Sequence, residues 1–165
     1  MNITPTMMPE EEARRALAYH EAGHAVVAWS YRVRILCIKI EGLRGRVCDS
    51  IRQSQLHPET DYQKIVQLAA ILWAGEAAEE SLLDAGDVTS AEDDRSELDS
   101  TVEMLFPDSP QSAREWLSMT KDEARTRVIE HWARVASLGE VLRARDYLSG
   151  AEAERIIENA SAANT

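Results

Sequence analysis

Apolar and polar positions repeat with a helical period through most of this chain. From about Pro9 to Tyr31 the apolar residues Ala16, Leu17, Ala25, Val26, Val27 and Ala28 predict a long buried helix. Pro9 is expected as an early helical residue, and Glu10, Glu11 and Glu12 suit the positive end of the helix dipole. The period then changes. Arg34 to Glu41 is β-branched and ends in alternation, which predicts a strand; Gly42-Leu43-Arg44-Gly45 turns the chain, and Arg46 to Ile51 returns antiparallel. Gln53 to Glu59 is polar, contains His57-Pro58 and reads as a loop with a solvated His57.

A second helix is expected from a Thr60 N-cap to about Leu83, where Asp84-Ala85-Gly86 ends it. Ile65, Leu68, Ile71, Leu72, Ala74, Ala77 and Ala78 make its broad apolar face, and its small-residue second half permits tight packing against the first helix. Thr89 and Glu92 form the next capping box, placing Asp93 and Asp94 in the opening turns of a third helix that runs to about Leu105. Ser109-Pro110 starts a short helix to about Ser118. Thr120-Lys121-Asp122-Glu123 starts a longer one, with a stripe of Val128, Ile129, Trp132, Val135, Ala136 and Leu142 and with His131 off the stripe, on the surface. Ser149 and Glu152 cap a last helix through Ile157, and residues 159–165 are expected to fray. The fold class is therefore mainly α with a small antiparallel hairpin or sheet after the first helix, in a single domain spanning 1–165.

Composition narrows the function. The chain has 165 residues and a net charge of −11, which argues against nucleic acid or an anionic membrane surface as a partner. No apolar run has the length of a membrane span, no secretory signal is recognisable, and no G-x-x-x-x-G-K-[ST] loop is present, so a cytoplasmic chain without an ATPase engine is expected. Cys37 and Cys48 should face each other across the hairpin, as reduced thiols rather than a disulfide in that compartment.

The chemistry gathers on the first helix. His20-Glu21-Ala22-Gly23-His24 is an instance of H-E-x-x-H. Residues four apart share one helix face, so the two imidazoles point at a common spot, the arrangement that two zinc ligands need. Glu21 is turned about 100° round the axis and can reach a water at that spot as a general base. Buried on an apolar helix without partners, two histidines and a glutamate would be costly, and a metal relieves that cost. Gly23 in mid-helix suits the close approach of another backbone. Spacing alone leaves the third ligand open: the Asp93–Asp94 cluster is equally what a helix N-terminus attracts.

Three blocks then occur in order: Tyr19-His20-Glu21-Ala22-Gly23-His24-Ala25, Ala74-Gly75-Glu76-Ala77-Ala78-Glu79-Glu80, and Asp87-Val88-Thr89-Ser90-Ala91-Glu92-Asp93-Asp94. With Leu142 to Glu152 as a fourth piece, the chain resembles the FtsH-type zinc peptidases, the proteolytic domains of membrane-bound AAA proteases. The resemblance implies a zinc ion held by His20, His24 and Asp94, with Asp93 in the place of the family's asparagine. It brings Glu79 near the metal, as a rival ligand or as the partner that orients a histidine. It implies that the strand holding Ile38, Lys39 and Ile40, or its partner with Val47, is a substrate-facing edge to which an extended peptide adds. The implied activity is peptide-bond hydrolysis in peptides or unfolded proteins, independent of ATP in an isolated domain. A homo-oligomer or a separate AAA ATPase is the implied partner. An inactive zinc-binding regulatory module working with a separate ATPase is one alternative, and a metal-dependent hydrolase of something other than peptides is the other.

Overall fold

A computed structural model describes residues 9–51, 55–83 and 92–162 of the chain. The order of elements is α1 (Glu10–Ser30), β1 (Ile35–Glu41), β2 (Arg44–Asp49), α2 (Tyr62–Leu83), α3 (Glu92–Leu105), α4 (Pro110–Glu130), α5 (Trp132–Ala144), β3 (Tyr147–Ser149) and α6 (Gly150–Ala162). It is mainly helical with one small antiparallel sheet. No helix among the described residues is long and apolar enough to cross a membrane. The expected stop at Asp84-Ala85-Gly86 and the Thr89 cap lie outside the described residues.

α1 forms the axis. Every residue from Ala16 to Ala28 is buried. A methyl group at Gly23 would overlap the carbonyl of Ala74 on α2, so the mid-helix glycine is the point where the two backbones meet. α2 answers with its own small residues, Ala74, Gly75, Ala77 and Ala78, all buried. On the far side α5 crosses α1: Gly139 lies against the Tyr19 ring, and the Tyr19 hydroxyl donates to Glu140 Oε1 at 2.9 Å.

Two apolar clusters result. The larger joins α1, β1, β3, α5, α6, the second half of α2 and the end of α4 through residues such as Val26, Ile38, Ile40, Val128, Leu138, Leu142, Leu148 and Ile157. The smaller joins the first half of α2 to α3 and α4 through Ile65, Leu68, Leu72, Leu98, Val102 and Trp116. α2 and α4 belong to both.

The antiparallel hairpin forms, but with a tighter turn than expected: Arg44 and Gly45 already belong to β2, which ends at Asp49. Glu41 stands opposite Arg44, with Gly42 (φ 61°) supplying the positive φ that the two-residue loop requires. Cys37 and Cys48 stand opposite each other as free, half-buried thiols. The sheet gains a third strand that the residue pattern does not announce, β3, giving the order β2-β1-β3. Of the two strands offered as a substrate-facing edge, β1 is central. Ile38 and Lys39 are paired on both sides, and the Ile40 N–H donates to Asp146 O. Val47 lies on β2, which is the edge.

Several boundaries differ from the expected ones, each for a local reason. Pro9 precedes α1 as its N-cap, with a non-helical ψ of 143°. Asp61, not Thr60, is the residue next to α2, its carbonyl accepting from Ile65 N at 3.0 Å. α4 runs unbroken through Thr120, whose hydroxyl turns back to Trp116 O at 3.0 Å instead of capping a new helix. The break falls at His131. That residue closes α4, precedes α5 and stacks edge-on against Trp29, so it is half-buried rather than a surface residue. Ile129 leaves the expected stripe at 68% exposure. α6 continues past Ile157 to Ala162, beyond the start of the expected frayed tail.

Candidate metal centre

His20 and His24 rise from the buried middle of α1 one turn apart, with ring centroids 4.6 Å from each other. Each ring is fixed through its Nδ1. His24 Nδ1 lies 2.6 Å from the carbonyl oxygen of Ile71 on α2. A carbonyl only accepts, so that nitrogen carries the hydrogen. His20 Nδ1 lies 2.6 Å from Glu79 Oε1, a carboxylate buried to 1% exposure. Donating to it leaves the Nε2 of His20 without a hydrogen as well.

The two Nε2 atoms then face each other at 2.9 Å, and Asp94 Oδ2 stands 3.1 Å from one and 3.2 Å from the other. Three lone-pair atoms thus converge with no hydrogen among them when both rings are neutral. Such a cluster calls for a cation: a proton, or a metal ion. These are the three groups that could hold a metal among the described residues. Their nature, two imidazoles and one carboxylate, suits zinc with a coordination position left open.

The electrostatics express the same demand. Burial pushes His24 towards its neutral form, but the Asp94 carboxylate and the Ile71 carbonyl outweigh it and hold the ring up to about 10. For His20, burial and the neighbouring His24 act downwards, and hydrogen bonds with Asp94 and Glu79 leave it raised. Asp94 is pushed up by burial yet held well below the usual carboxylate range by the two rings. Glu21 is different. Burial raises its carboxyl, only partly countered by His24 and His20, a direction that brings a carboxyl closer to exchanging protons near neutral pH.

These groups line a cleft of about 620 Å³ between α1, β2, α2 and α3. Glu21 points along it towards β2, where Gly45 leaves room for its carboxyl; any side chain at 45 would collide with it. Gly75 on α2 lies against both imidazoles in the same way. Val47 and Asp49 of the edge strand line the cleft, and so do Leu68 and Leu72 of α2. A larger groove of about 760 Å³ between α2 and α4 has no histidine in its lining and lies away from this chemistry.

The expected residues therefore divide. His20, Glu21, His24 and Asp94 come together. Glu79 sits behind His20 as the group that orients it, on the ring nitrogen facing away from Asp94. Asp93 is exposed on the cleft rim, outside the three-residue set. Ile38 and Ile40 are buried in the core beneath the sheet and do not line the cleft. Sequence reasoning missed three contributors: the Ile71 carbonyl, for which no side-chain signal exists, and Gly45 and Gly75, whose only signal was their small size. The chain matches no protein-family model and no curated protein.

Proposed function

We propose that this chain is a zinc-dependent endopeptidase acting on extended polypeptide, with the chemistry of the FtsH-type peptidases that its motifs resemble. The observation that carries this reading is the meeting of His20 Nε2, His24 Nε2 and Asp94 Oδ2 beside a buried Glu21 of raised pKa. His20, His24 and Asp94 would hold the ion, with Glu79 and the Ile71 carbonyl keeping both rings aimed. When bound, a divalent cation supplies a Lewis acid that acidifies water and polarises a carbonyl. Glu21 takes the proton from the attacking water and returns it to the leaving amine.

The edge strand β2 favours a peptide over other hydrolysable substrates. Among the described residues β2 pairs only with β1. Its other side can accept an extended chain by main-chain hydrogen bonds beside Glu21.

The test is metal content and hydrolysis of unfolded casein by wild type and two variants. Glu21→Gln is expected to keep one zinc per chain and lose at least about 100-fold in turnover, the usual contribution of a general base. Asp94→Ala is expected to lose the zinc. Undiminished turnover in Glu21→Gln would remove the assigned base; a wild type that holds zinc and cleaves nothing would favour a regulatory module.

A further inference from the structure

We infer that Glu76 is a positioning residue that sets Asp94 against the imidazole pair by way of Arg95. The inference rests on reading His20, His24 and Asp94 as one metal-binding set.

α3 carries Asp94 on a turn that apolar packing does not hold. None of its residues from Glu92 to Glu97 is buried, and its anchorage in the core begins at Leu98 and continues with Thr101 and Val102. Besides the contacts of Asp94 itself with the two rings, the residue next to it ties the opening turn to α2. Arg95 Nη2 donates to Glu76 Oε2 on α2 at 3.1 Å. The other oxygen of the same carboxylate accepts from Lys121 Nζ on α4 at 2.5 Å. Burial acts to neutralise Glu76, but Lys121 and Arg95 together keep it ionised, below its ordinary value.

An exposed arginine pair by itself is worth little. Here one end is not free to move: the Glu76 side chain is 7% exposed and pinned from its far side by Lys121. The direction of Arg95 is therefore set by the interior, and with it the angle at which the first turn of α3 meets α1. One short stretch of α2 thus serves the whole set. Gly75 admits both rings, Glu79 holds His20, and Glu76 holds the neighbour of Asp94.

The experiment is zinc affinity of the full chain by competition with a chromophoric chelator, beside the thermal midpoint of the metal-free protein. Arg95→Gln is expected to weaken zinc binding about 10-fold, the usual effect of losing a group that orients a ligand. Its metal-free midpoint should stay put, because the Arg95 side chain is 56% exposed. Arg95→Lys should restore most of the affinity. Glu76→Gln should weaken binding like Arg95→Gln, and the double variant should be no weaker than the worse single, since the two act in series. Arg95→Gln binding zinc like wild type, or single losses that add in full, would overturn the assignment. A wild type that binds no zinc removes the metal reading and this one with it. Normal wild-type binding with an unaffected Arg95→Gln removes only the positioning role.

Discussion

At position 45 the absence of a side chain is what the catalytic proposal depends on. Gly45 lies within strand β2, not in the positive-φ region, so the backbone itself would accept alanine. The obstacle is the carboxyl end of Glu21, which fills the space a methyl would take. The far end of a flexible side chain yields more readily than a paired strand, so Gly45→Ala should leave the fold intact and displace Glu21. Misplacing a reacting group by about 1 Å costs on the order of 100-fold in rate. We expect turnover of an unfolded substrate to fall by about that factor with zinc affinity unchanged, measured side by side by steady-state kinetics and chelator competition. Loss of both together would mean that the strand moved instead. The glycine was visible in the sequence only as a turn former. That it faces Glu21 depends on how the hairpin lies across α1, which no local pattern records.

Helix ends show which local signals can be trusted and why. Ser149 and Glu152 have the spacing of a capping box and form one. Glu152 N donates to Ser149 Oγ at 3.3 Å, and Glu152 Oε2 accepts from Ser149 N at 3.0 Å. The same kind of spacing at Thr120 and Glu123 misled, because a threonine can satisfy its hydroxyl on the preceding turn when burial favours helix on both sides. Thr120 is fully buried, and no proline or glycine interrupts residues 111–130. β3 is too short, at three residues, to show a period; it exists because Leu148 enters the core and its backbone pairs with Ile38. The α6 cap carries its own pH dependence. The Ser149 N–H and hydroxyl, with Arg145, hold the Glu152 carboxyl down to about 2 from an ordinary 4.5. A lowered folded-state value contributes stability above the unfolded value and loses it as pH falls through the folded one. Urea midpoints of wild type and Glu152→Gln should therefore differ in favour of wild type above about pH 4.5 and converge towards pH 2. A gap that persists unchanged at pH 2 would show that charge on Glu152 is not what the cap uses.

Across the whole molecule the candidate centre is where the two apolar clusters are tied together. His20 and His24 belong to α1 in the larger cluster, whereas Asp94 belongs to α3, whose buried residues Leu98 and Val102 pack in the smaller one. Among the described residues these two helices meet chiefly through the His–Asp contacts, while α2 and α4 each contribute buried residues to both clusters. A cation held by all three side chains would thus act as a clamp between halves, not as a local ornament of α1. Ligand linkage gives the size: at a free zinc concentration 100 times Kd the folded state gains about 2.7 kcal/mol. For a domain of this length each kcal/mol raises the thermal midpoint by roughly 2–4 °C, so zinc should raise it by about 5–11 °C and chelator should reverse the change. Protons compete for the same atoms. His24 is held up to about 10 by Asp94 in the metal-free cluster, so zinc must displace a proton there, and the increment should grow as pH rises from about 6 to 8. Scanning calorimetry with and without zinc, on wild type and His20→Ala, checks this. If both proteins gain the same few degrees, the ion is binding elsewhere, and the acceptors at the junction of the two cores are held together by a proton alone.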